Sequence, residues 1–144
     1  NMENALSQAA ETAAANGFTL LLEPLNTYVD HAGYFLDSAR AAIEVVRSIN
    51  SPGLRLLYDC YHMQIMEGNI ISTVTANTDI IGHFHSAGVP GRHELLAGEL
   101  NYRDIMKAIE DAGYTGAFGL EYSPAMTDHL ASLAATRAYL GADR

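Results

Sequence analysis

Four residues of types that bind metal ions stand at equivalent places in this sequence, each at the end of a short apolar run. They are separated by about the length of one strand-plus-helix unit, and they are Glu23, Asp59, His85 and Glu121. Two Glu, one Asp and one His offer oxygen-rich ligation with one imidazole, which favours Mn²⁺, Mg²⁺ or Co²⁺ over structural zinc. Alone, a carboxylate at a strand end is more often solvated or caps the next helix. Together, the four residues predict one divalent-metal site.

The apolar runs before these residues predict four buried strands. Each run is short and lacks polar alternation, which is typical of strands in a parallel sheet with both faces covered. The runs occupy residues 18–22, 54–58, 80–84 and 117–120. In parallel α/β folds the carboxyl ends of the strands lie on one face, where ligands bind. The four side chains converge there if the strands curve around a common axis, as in a barrel.

Helical patterns alternate with these runs. An alanine-rich segment precedes the first run and ends at Asn16-Gly17, Asn101 is a typical helix cap, and Gly68-Asn69 predicts a break in another helix. The helical segments cover residues 3–16, 36–46, 65–77, 102–112 and 128–140. Strands that alternate with helices predict right-handed βα units and a parallel sheet.

The composition excludes several classes of protein. The chain of 144 residues is 49% hydrophobic and 17% charged, and its net charge of −9 argues against nucleic acid or an anionic membrane as a partner. Cys60 is the only cysteine, which excludes an internal disulfide framework and a multi-cysteine zinc site. No apolar run reaches the roughly 18 residues of a membrane span, and the first residues lack the pattern of a signal peptide. We therefore expect a cytoplasmic globular protein with residues 1–144 as a single unit.

Several short motifs are shared with one family of enzymes. The most specific is Ala-Gly-Val-Pro-Gly-Arg-His-Glu at 87–94, followed by Gly-Glu-Leu-Asn-Tyr at 98–102. The others are Leu-Glu-Pro-Leu-Asn at 22–26, Asp-Cys-Tyr-His at 59–62, Gly-His-Phe-His at 82–85 and Leu-Glu-Tyr at 120–122. By these motifs the chain resembles the hydroxypyruvate isomerase family, a branch of the xylose isomerase-like sugar isomerases and epimerases.

The resemblance implies an enzyme of the aldose–ketose isomerase type, an intramolecular oxidoreductase. It implies a (β/α)8 TIM barrel and a divalent metal, Mg²⁺ or Mn²⁺, with Co²⁺ as an alternative. Glu23, Asp59, His85 and Glu121 match the family's metal ligands, and Glu23 and Glu121 also match the catalytic pair that moves a proton in related ketose epimerases. The expected partner is a small hydroxy-carbonyl or sugar substrate. Removal of a proton beside its carbonyl leaves an enediolate, whose negative charge a metal stabilises.

Four further residues are expected to contact the substrate. His62, in the Asp-x-x-His motif, and Arg92 match substrate-contacting positions of the family, and His93 and Glu94 follow Arg92 in the same polar loop. From the residues alone, substrate binding by Arg92 and a solvated loop with an internal ion pair are equally compatible with this segment. Likewise, His62 could orient the substrate or bond to a nearby backbone carbonyl. Asn26 either reaches the pocket or caps the turn that follows it, and we favour the cap.

Other functions stay open on the sequence. Hydroxypyruvate isomerases often carry Gln at the position of His85, whereas His is the usage of the ketose 3-epimerases, so an epimerase is the alternative. Endonucleases built on a similar barrel with several metals need more ligands and a basic groove, which the net charge of −9 disfavours. A third hypothesis is an inactive fragment or non-catalytic subunit that keeps the metal residues but lacks the walls of a pocket.

The length fits only part of a barrel. Eight βα units need about 250 residues, whereas this chain of 144 residues supplies four strands with one preceding helix. The predicted fold class is therefore α/β, as the carboxyl-terminal half of a (β/α)8 TIM barrel, strands five to eight with their helices. Four such strands alone would leave two unpaired edges and a half-covered apolar interior. We therefore expect the chain to associate with the missing amino-terminal half, or with another copy as an oligomer.

Overall fold

The sheet has four parallel strands in the order of the sequence. In the computed structural model, which describes residues 2–141, each strand pairs with the next. The strands are β1 Leu20–Leu22, β2 Leu54–Asp59, β3 Ile81–Ser86 and β4 Phe118–Leu120. All adjacent pairs are parallel, which confirms the predicted α/β class.

Helices connect the strands at the predicted places. Helix α1 precedes β1, α2 joins β1 to β2, α3 and α4 join β2 to β3, α5 joins β3 to β4, and α6 follows β4. Their bounds are α1 Met2–Ala15, α2 Ala39–Ile49, α3 Cys60–Met66, α4 Ile70–Thr75, α5 Tyr102–Asp111 and α6 His129–Leu140. The predicted cap of α5 is confirmed, since the Asn101 side chain accepts the N–H of Asp104.

The helix after β2 begins earlier than predicted. Helix α3 starts at Cys60, directly after the strand, whereas the sequence pattern placed its start near residue 65. Asp59 is the reason, because its side chain accepts the N–H groups of Tyr61 and His62 at the helix N-terminus. The chain therefore passes from strand to helix at a single capping residue.

Two other helix predictions can be compared with the structure. The break between α3 and α4 is confirmed, with Gly68 and Asn69 both in the left-handed region at φ 66° and 51°. The stripe that began at Leu36 is wrong at its start, because the Ser38 side chain caps α2 and leaves Leu36 outside the helix. Leu36 is nevertheless buried, and its carbonyl accepts the N–H of Leu25.

The core lies between the sheet and the helices. Tyr58 of β2, Phe84 of β3 and Tyr102 of α5 are wholly buried. The Phe84 ring packs against Tyr58 at 6.1 Å and against Phe118 at 5.8 Å between ring centroids, so aromatic contacts join three neighbouring strands. These contacts hold together the central strands, which end at Asp59 and carry His85.

The outer strands are more exposed than predicted. Burial of the runs is confirmed for β2, but in β1 Leu21 is 43% exposed, and in β4 Leu120 is 38% exposed. Within residues 2–141, β1 and β4 each pair with a strand on one side only. Their apolar side chains consequently lack neighbours on the outer side of the sheet.

The apolar stripe of α6 faces away from the described core. Leu130 and Leu133 are 79% and 48% exposed, whereas Ser132 and Thr136 of the same helix are buried. The helix therefore buries Ser132 and Thr136 and exposes Leu130 and Leu133. Within residues 2–141, no helix combines the length and the apolar character that crossing a bilayer requires.

A candidate metal site at the carboxyl ends of the strands

The four residues at the strand ends meet at one edge of the sheet. Asp59 and His85 are paired in the parallel register of β2 and β3. Glu23 directly follows β1, and Glu121 directly follows β4 with its N–H donated to the carbonyl of Ser86. Each of Glu23, Asp59, His85 and Glu121 offers one ligand atom within 4.8 Å of the others. The structure therefore brings together the four residues that the sequence proposes as ligands.

Three polar atoms of this cluster are left without hydrogen-bond partners. Nδ1 of His85 lies 3.7 Å from Oε1 of Glu23 and 3.4 Å from Oε2 of Glu121. Oε1 of Glu23, Oδ2 of Asp59 and Nδ1 of His85 are buried and make no hydrogen bond. Buried polar atoms without partners are rare and call for an explanation such as an ion. Three oxygens and one imidazole nitrogen that all face one point suit a divalent cation.

Two of the carboxylates have raised pKa values. Burial, together with the negative charges of Asp59 and Glu121, raises the pKa of Glu23 to about 7, although the positive charge of Arg92 opposes this shift. Burial likewise raises the pKa of Asp59 to about 6, against the hydrogen bonds from the backbone N–H of Tyr61 and the charge of Arg92. Three carboxylates crowded together favour protons or a cation, so protons and a divalent metal would compete for this cluster near neutral pH.

Asp59 has a structural role as well as a place in the cluster. Its Oδ1 accepts the N–H of Tyr61 at 2.7 Å and that of His62 at 3.4 Å, which caps α3. Its other oxygen, Oδ2, is the buried atom without a hydrogen bond. The two interpretations of a strand-end carboxylate, helix cap and ligand, therefore apply to different oxygens of one residue.

Gly119 leaves room for the ring of His85. It is the β4 residue paired with His85, and a Cβ at this position would lie 2.9 Å from Cδ2 of His85 and 2.8 Å from Nε2 of His83. Side chains do not tolerate such distances, so any other residue at 119 would displace the imidazole that completes the cluster.

Arg92 lies against the same cluster. Its guanidinium donates to Oε2 of Glu121 at 2.6 Å, lies 3.9 Å from Oδ2 of Asp59, and stacks 5.0 Å above the Tyr61 ring. Its backbone has φ 58°, in the left-handed region, so a loop residue is held in an unusual conformation beside the cluster. A guanidinium there can form paired hydrogen bonds with a carboxylate ligand.

His62 lies beside Arg92 and is buried. Its Nε2 is 3.6 Å from Oδ2 of Asp59 and 3.5 Å from the Arg92 guanidinium. Burial, together with the positive charge of Arg92 and the nearby His31, lowers the pKa of His62 to about 4. The imidazole is therefore neutral near pH 7.

His93 and Glu94 form hydrogen bonds with the segment after β4. Nδ1 of His93 is 2.8 Å from the carbonyl of Ser123, and the Glu94 carboxylate accepts the N–H groups of Ala125 and Met126, both at 3.1 Å. These hydrogen bonds lower the pKa of Glu94 to about 2. Both residues thus hold the segment after β4, and their proposed contact with substrate stays a prediction.

The sequence missed a polar group next to His62. Asn26 does cap its turn, as predicted, because its Oδ1 accepts the N–H groups of Val29 and Asp30. Its Nδ2 also lies 2.7 Å from Nδ1 of His62, across 36 residues of sequence. Its signal in the sequence is its place in the Leu-Glu-Pro-Leu-Asn motif, three residues after Glu23. Tyr61, whose hydroxyl donates to Asp30 at 2.8 Å, gave no signal.

A parallel sheet whose strands follow the order of the chain, with ligand-type side chains at their carboxyl ends, is typical of the TIM-barrel superfamily. More narrowly, the chain belongs to the xylose isomerase-like TIM barrel family, whose model matches residues 1–139. This confirms the family indicated by the sequence motifs.

Three known proteins illustrate the similarity. The chain is 42% identical over 123 residues to the 2-oxo-tetronate isomerase of Cupriavidus necator, a match that covers 85% of this chain and 46% of that protein. It is 38% identical over 122 residues to the hydroxypyruvate isomerase of Escherichia coli, covering 85% and 47%. A crystal structure of an AP endonuclease, family 2, from Brucella melitensis superposes with a TM-score of 0.86 at 33% identity, covering 99% and 53%. The chain therefore spans about half the length of the proteins it matches.

Proposed function

We propose that this protein is a metal-dependent isomerase of small hydroxy-carbonyl compounds, similar to hydroxypyruvate isomerase. The observation that carries the proposal is the cluster of four ligand-type side chains within 4.8 Å at the carboxyl ends of the strands. The names of two relatives support the substrate class, since hydroxypyruvate and 2-oxo-tetronate are both 2-oxo acids with a hydroxyl group on the neighbouring carbon.

Glu23 and Glu121 are the residues suited to move the proton. Isomerisation requires removal of a proton beside a carbonyl and its return to the neighbouring carbon, through an enediolate. A carboxylate beside the reacting carbon can accept a proton and return it to the neighbouring carbon. Glu121 stands at the opposite end of the four-strand row, so the two carboxylates can share the base and acid roles. When bound, a divalent ion at the cluster supplies a Lewis acid for the oxygen that becomes negative.

Arg92 and His62 are suited to hold the substrate. The guanidinium of Arg92 lies at the edge of the cluster. Its side chain is one-quarter exposed, so it can donate hydrogen bonds to a second carboxylate besides that of Glu121. A 2-oxo acid carries such a carboxylate one bond from its carbonyl. This placement explains why a hydroxy-carbonyl acid, rather than a neutral sugar, is the proposed substrate.

The first test is activity with and without metal. With hydroxypyruvate or a 2-oxo-tetronate in D₂O, the intact protein is expected to move the carbonyl to the neighbouring carbon and to incorporate solvent deuterium, measured by NMR. Dialysis against EDTA should abolish turnover, and Mn²⁺ or Mg²⁺ should restore it. Full activity of the chelated protein would contradict the metal role.

A ketose 3-epimerase is the second candidate, favoured by the histidine at position 85. It would invert one carbon of a ketose in the same assay and leave the carbonyl where it is. An isomerase and an epimerase therefore give different products, and an assay with both 2-oxo acids and ketoses as substrates separates the two functions. Nuclease action is disfavoured by the net charge of −9 and by a site with one cluster of ligands among residues 2–141.

We infer further that four additional βα units complete the barrel. The half-length match to the relatives supports this, as do the outer edges of β1 and β4. Beside β4, an apolar groove of about 330 Å³ is lined by Phe118, Leu120, Leu133 and Leu140, with Met106 and Arg137. In a closed barrel, the next βα unit would cover both the free strand edge and this groove.

The state of the isolated chain in solution tests this inference. By size-exclusion chromatography with light scattering, the 144-residue chain is expected to be larger than the 15.5 kDa of one copy, or to aggregate. Leu133→Glu, in the groove, should reduce that association. Ile71→Glu replaces a similarly exposed residue on helix α4, outside the groove, and should leave the association unchanged. A stable, well-folded monomer of the unsubstituted chain would overturn the inference.

A further inference from the structure

Asn26 is held in one orientation by its own hydrogen bonds. Its side chain is wholly buried, and Oδ1 accepts the N–H groups of Val29 at 3.1 Å and Asp30 at 3.0 Å. On the other side, Nδ2 donates to Oδ2 of Asp30 at 2.7 Å. Reversal of the amide would place its oxygen against this carboxylate and its NH₂ group against two N–H donors. The identity of the two amide atoms is therefore determined by their partners.

His62 receives two donors at the same ring nitrogen. Its Nδ1 lies 2.7 Å from Nδ2 of Asn26 and 3.2 Å from the backbone nitrogen of Asn26, whose N–H points to it. An amide NH₂ and a backbone N–H can only donate. A proton on Nδ1 would face both of them, so Nδ1 must present its lone pair, and the ring proton must be on Nε2.

The Nε2 edge of His62 faces the cluster of four candidate metal ligands. It lies 3.6 Å from Oδ2 of Asp59, which can accept from it, and 3.5 Å from the guanidinium of Arg92, which can only donate. This single longer contact with a donor is outweighed by the two shorter ones at Nδ1, at 2.7 Å and 3.2 Å. A protonated Nε2 in this place is a hydrogen-bond donor aimed into the space where the cluster and Arg92 meet. The same nitrogen has no lone pair in the ring plane with which to remove a proton.

We propose that Asn26 is a positioning residue that fixes His62 as the Nε2–H tautomer, so that His62 acts as a hydrogen-bond donor to a substrate oxygen and not as a general base. The tautomer follows from the contacts alone, whereas the role toward substrate rests on the proposed isomerase function. The chemical class recognised is an oxygen that carries or gains negative charge, since an N–H donor strengthens its bond as that charge develops.

The same group of residues also supports Arg92. Oδ2 of Asp30 accepts the Tyr61 hydroxyl at 2.8 Å as well as the Asn26 amide, and the Tyr61 ring lies under the Arg92 guanidinium at 5.0 Å. One carboxylate therefore braces both the residue that orients His62 and the ring on which Arg92 rests. Of Asp30, Tyr61 and Asn26, it is Asn26 that hydrogen-bonds to the His62 ring.

The tautomer can be measured without any activity assay. In long-range ¹H–¹⁵N spectra of histidine-labelled chain, His62 is assigned by its loss in His62→Gln. We expect a protonated Nε2 and an Nδ1 with the shift of a hydrogen-bonded lone pair. A protonated Nδ1 in the unsubstituted chain would overturn the proposal, whatever the enzyme's substrate is.

Asn26→Asp provides the matched variant. It keeps an oxygen for the N–H groups of Val29 and Asp30 but replaces the NH₂ donor with an acceptor. We expect Nδ1 of His62 to become protonated in this variant. In Asp30→Asn an oxygen remains to accept from Asn26, so the His62 spectrum should not change. If Asn26→Asp leaves the tautomer unchanged, Asn26 does not set it, and if this variant fails to fold, the unsubstituted spectrum still decides.

Kinetics separate a donor from a base. Gln at 62 can offer an N–H close to the place of Nε2 but cannot act as a base, so His62→Gln should lower kcat by no more than about tenfold, against about 10²–10⁴-fold for loss of a general base. A loss in the larger range would contradict the donor role. The NMR result would stand apart from it, so failure of the proposed isomerase function and failure of the tautomer assignment are distinguishable.

Discussion

Glu23→Gln and Glu121→Gln are each expected to lower kcat by about 10²–10⁴-fold while the protein stays folded. Gln has nearly the size and shape of Glu but cannot take up or release a proton, so the substitution removes proton transfer with little change in packing. The measurement is kcat and KM with saturating Mn²⁺, on protein whose metal content has been determined. Glu44→Gln, on the exposed face of α2, is the control and should be unchanged.

The Tm of the metal-free protein should change differently in Glu23→Gln and in Glu121→Gln. At pH 8 the Glu23 carboxylate is charged in a half-buried place beside Asp59 and Glu121, which is why its pKa is raised to about 7. A raised pKa means that the folded, metal-free protein becomes less stable as pH rises from 4.5 through 7, because the folded state holds the proton more tightly than the unfolded one. Glu23→Gln removes that charge and should raise the Tm of the metal-free protein at pH 8.

Glu121→Gln weakens only a partly exposed ion pair. The bond from Arg92 to Glu121 is short, at 2.6 Å, but the Glu121 side chain is 48% exposed. Pairs of this kind contribute about 0–1 kcal/mol, so the Tm of the variant should change little. Retention of turnover in both Gln variants would contradict the assignment of the acid and base. A large loss of Tm in Glu23→Gln would contradict the account of its pKa.

The places of the four candidate ligand residues could be predicted because strand ends are a local property. An apolar run that stops at a charged residue identifies both the strand and the residue at its carboxyl end, as Asp59 and Glu121 show. The parallel connection then puts all such ends on one edge. Convergence within 4.8 Å depends on the register of neighbouring strands, such as Asp59 opposite His85, and no local pattern contains it.

Contacts between distant segments explain most of what could not be predicted. Asn26 and His62 are 36 residues apart, and each looks like an ordinary turn or helix residue in its own segment. The exposure of Leu21 and Leu133 had a different cause. An apolar pattern predicts that one face of a strand or helix is buried against another element. It does not indicate whether that element belongs to the same stretch of chain, which is why both leucines could be predicted as buried and are exposed.

Asp59→Asn and Asp59→Ala are expected to divide the two roles of this residue. Asn retains an oxygen that can accept the N–H groups of Tyr61 and His62, and it removes the negative charge from the cluster. Ala removes both. Mn²⁺ affinity, measured by calorimetry or by electron paramagnetic resonance, should fall at least about 100-fold in both variants, since loss of even an indirect partner of a metal ligand costs about 10–100-fold.

The two variants should differ in stability rather than in metal binding. Loss of an N-cap costs about 0.5–2 kcal/mol, so metal-free Asp59→Ala should unfold several degrees below Asp59→Asn, at about 2–8 °C per kcal/mol for domains of this size range. Asp59→Asn itself should not be less stable than the unsubstituted chain at pH 8, because burial raises the pKa of Asp59 to about 6 and its charge is then a cost to the metal-free fold.

The outcomes of this pair distinguish a ligand from a cap. If Asp59→Asn binds Mn²⁺ like the unsubstituted chain, Oδ2 is not a ligand, and its burial without a hydrogen bond needs another explanation. If the two variants have the same Tm, Oδ1 contributes nothing as a cap despite its 2.7 Å bond to Tyr61. We expect the two variants to lose Mn²⁺ affinity to the same extent but to differ in Tm. This combination arises only if one oxygen of Asp59 caps α3 and the other completes the metal-binding cluster.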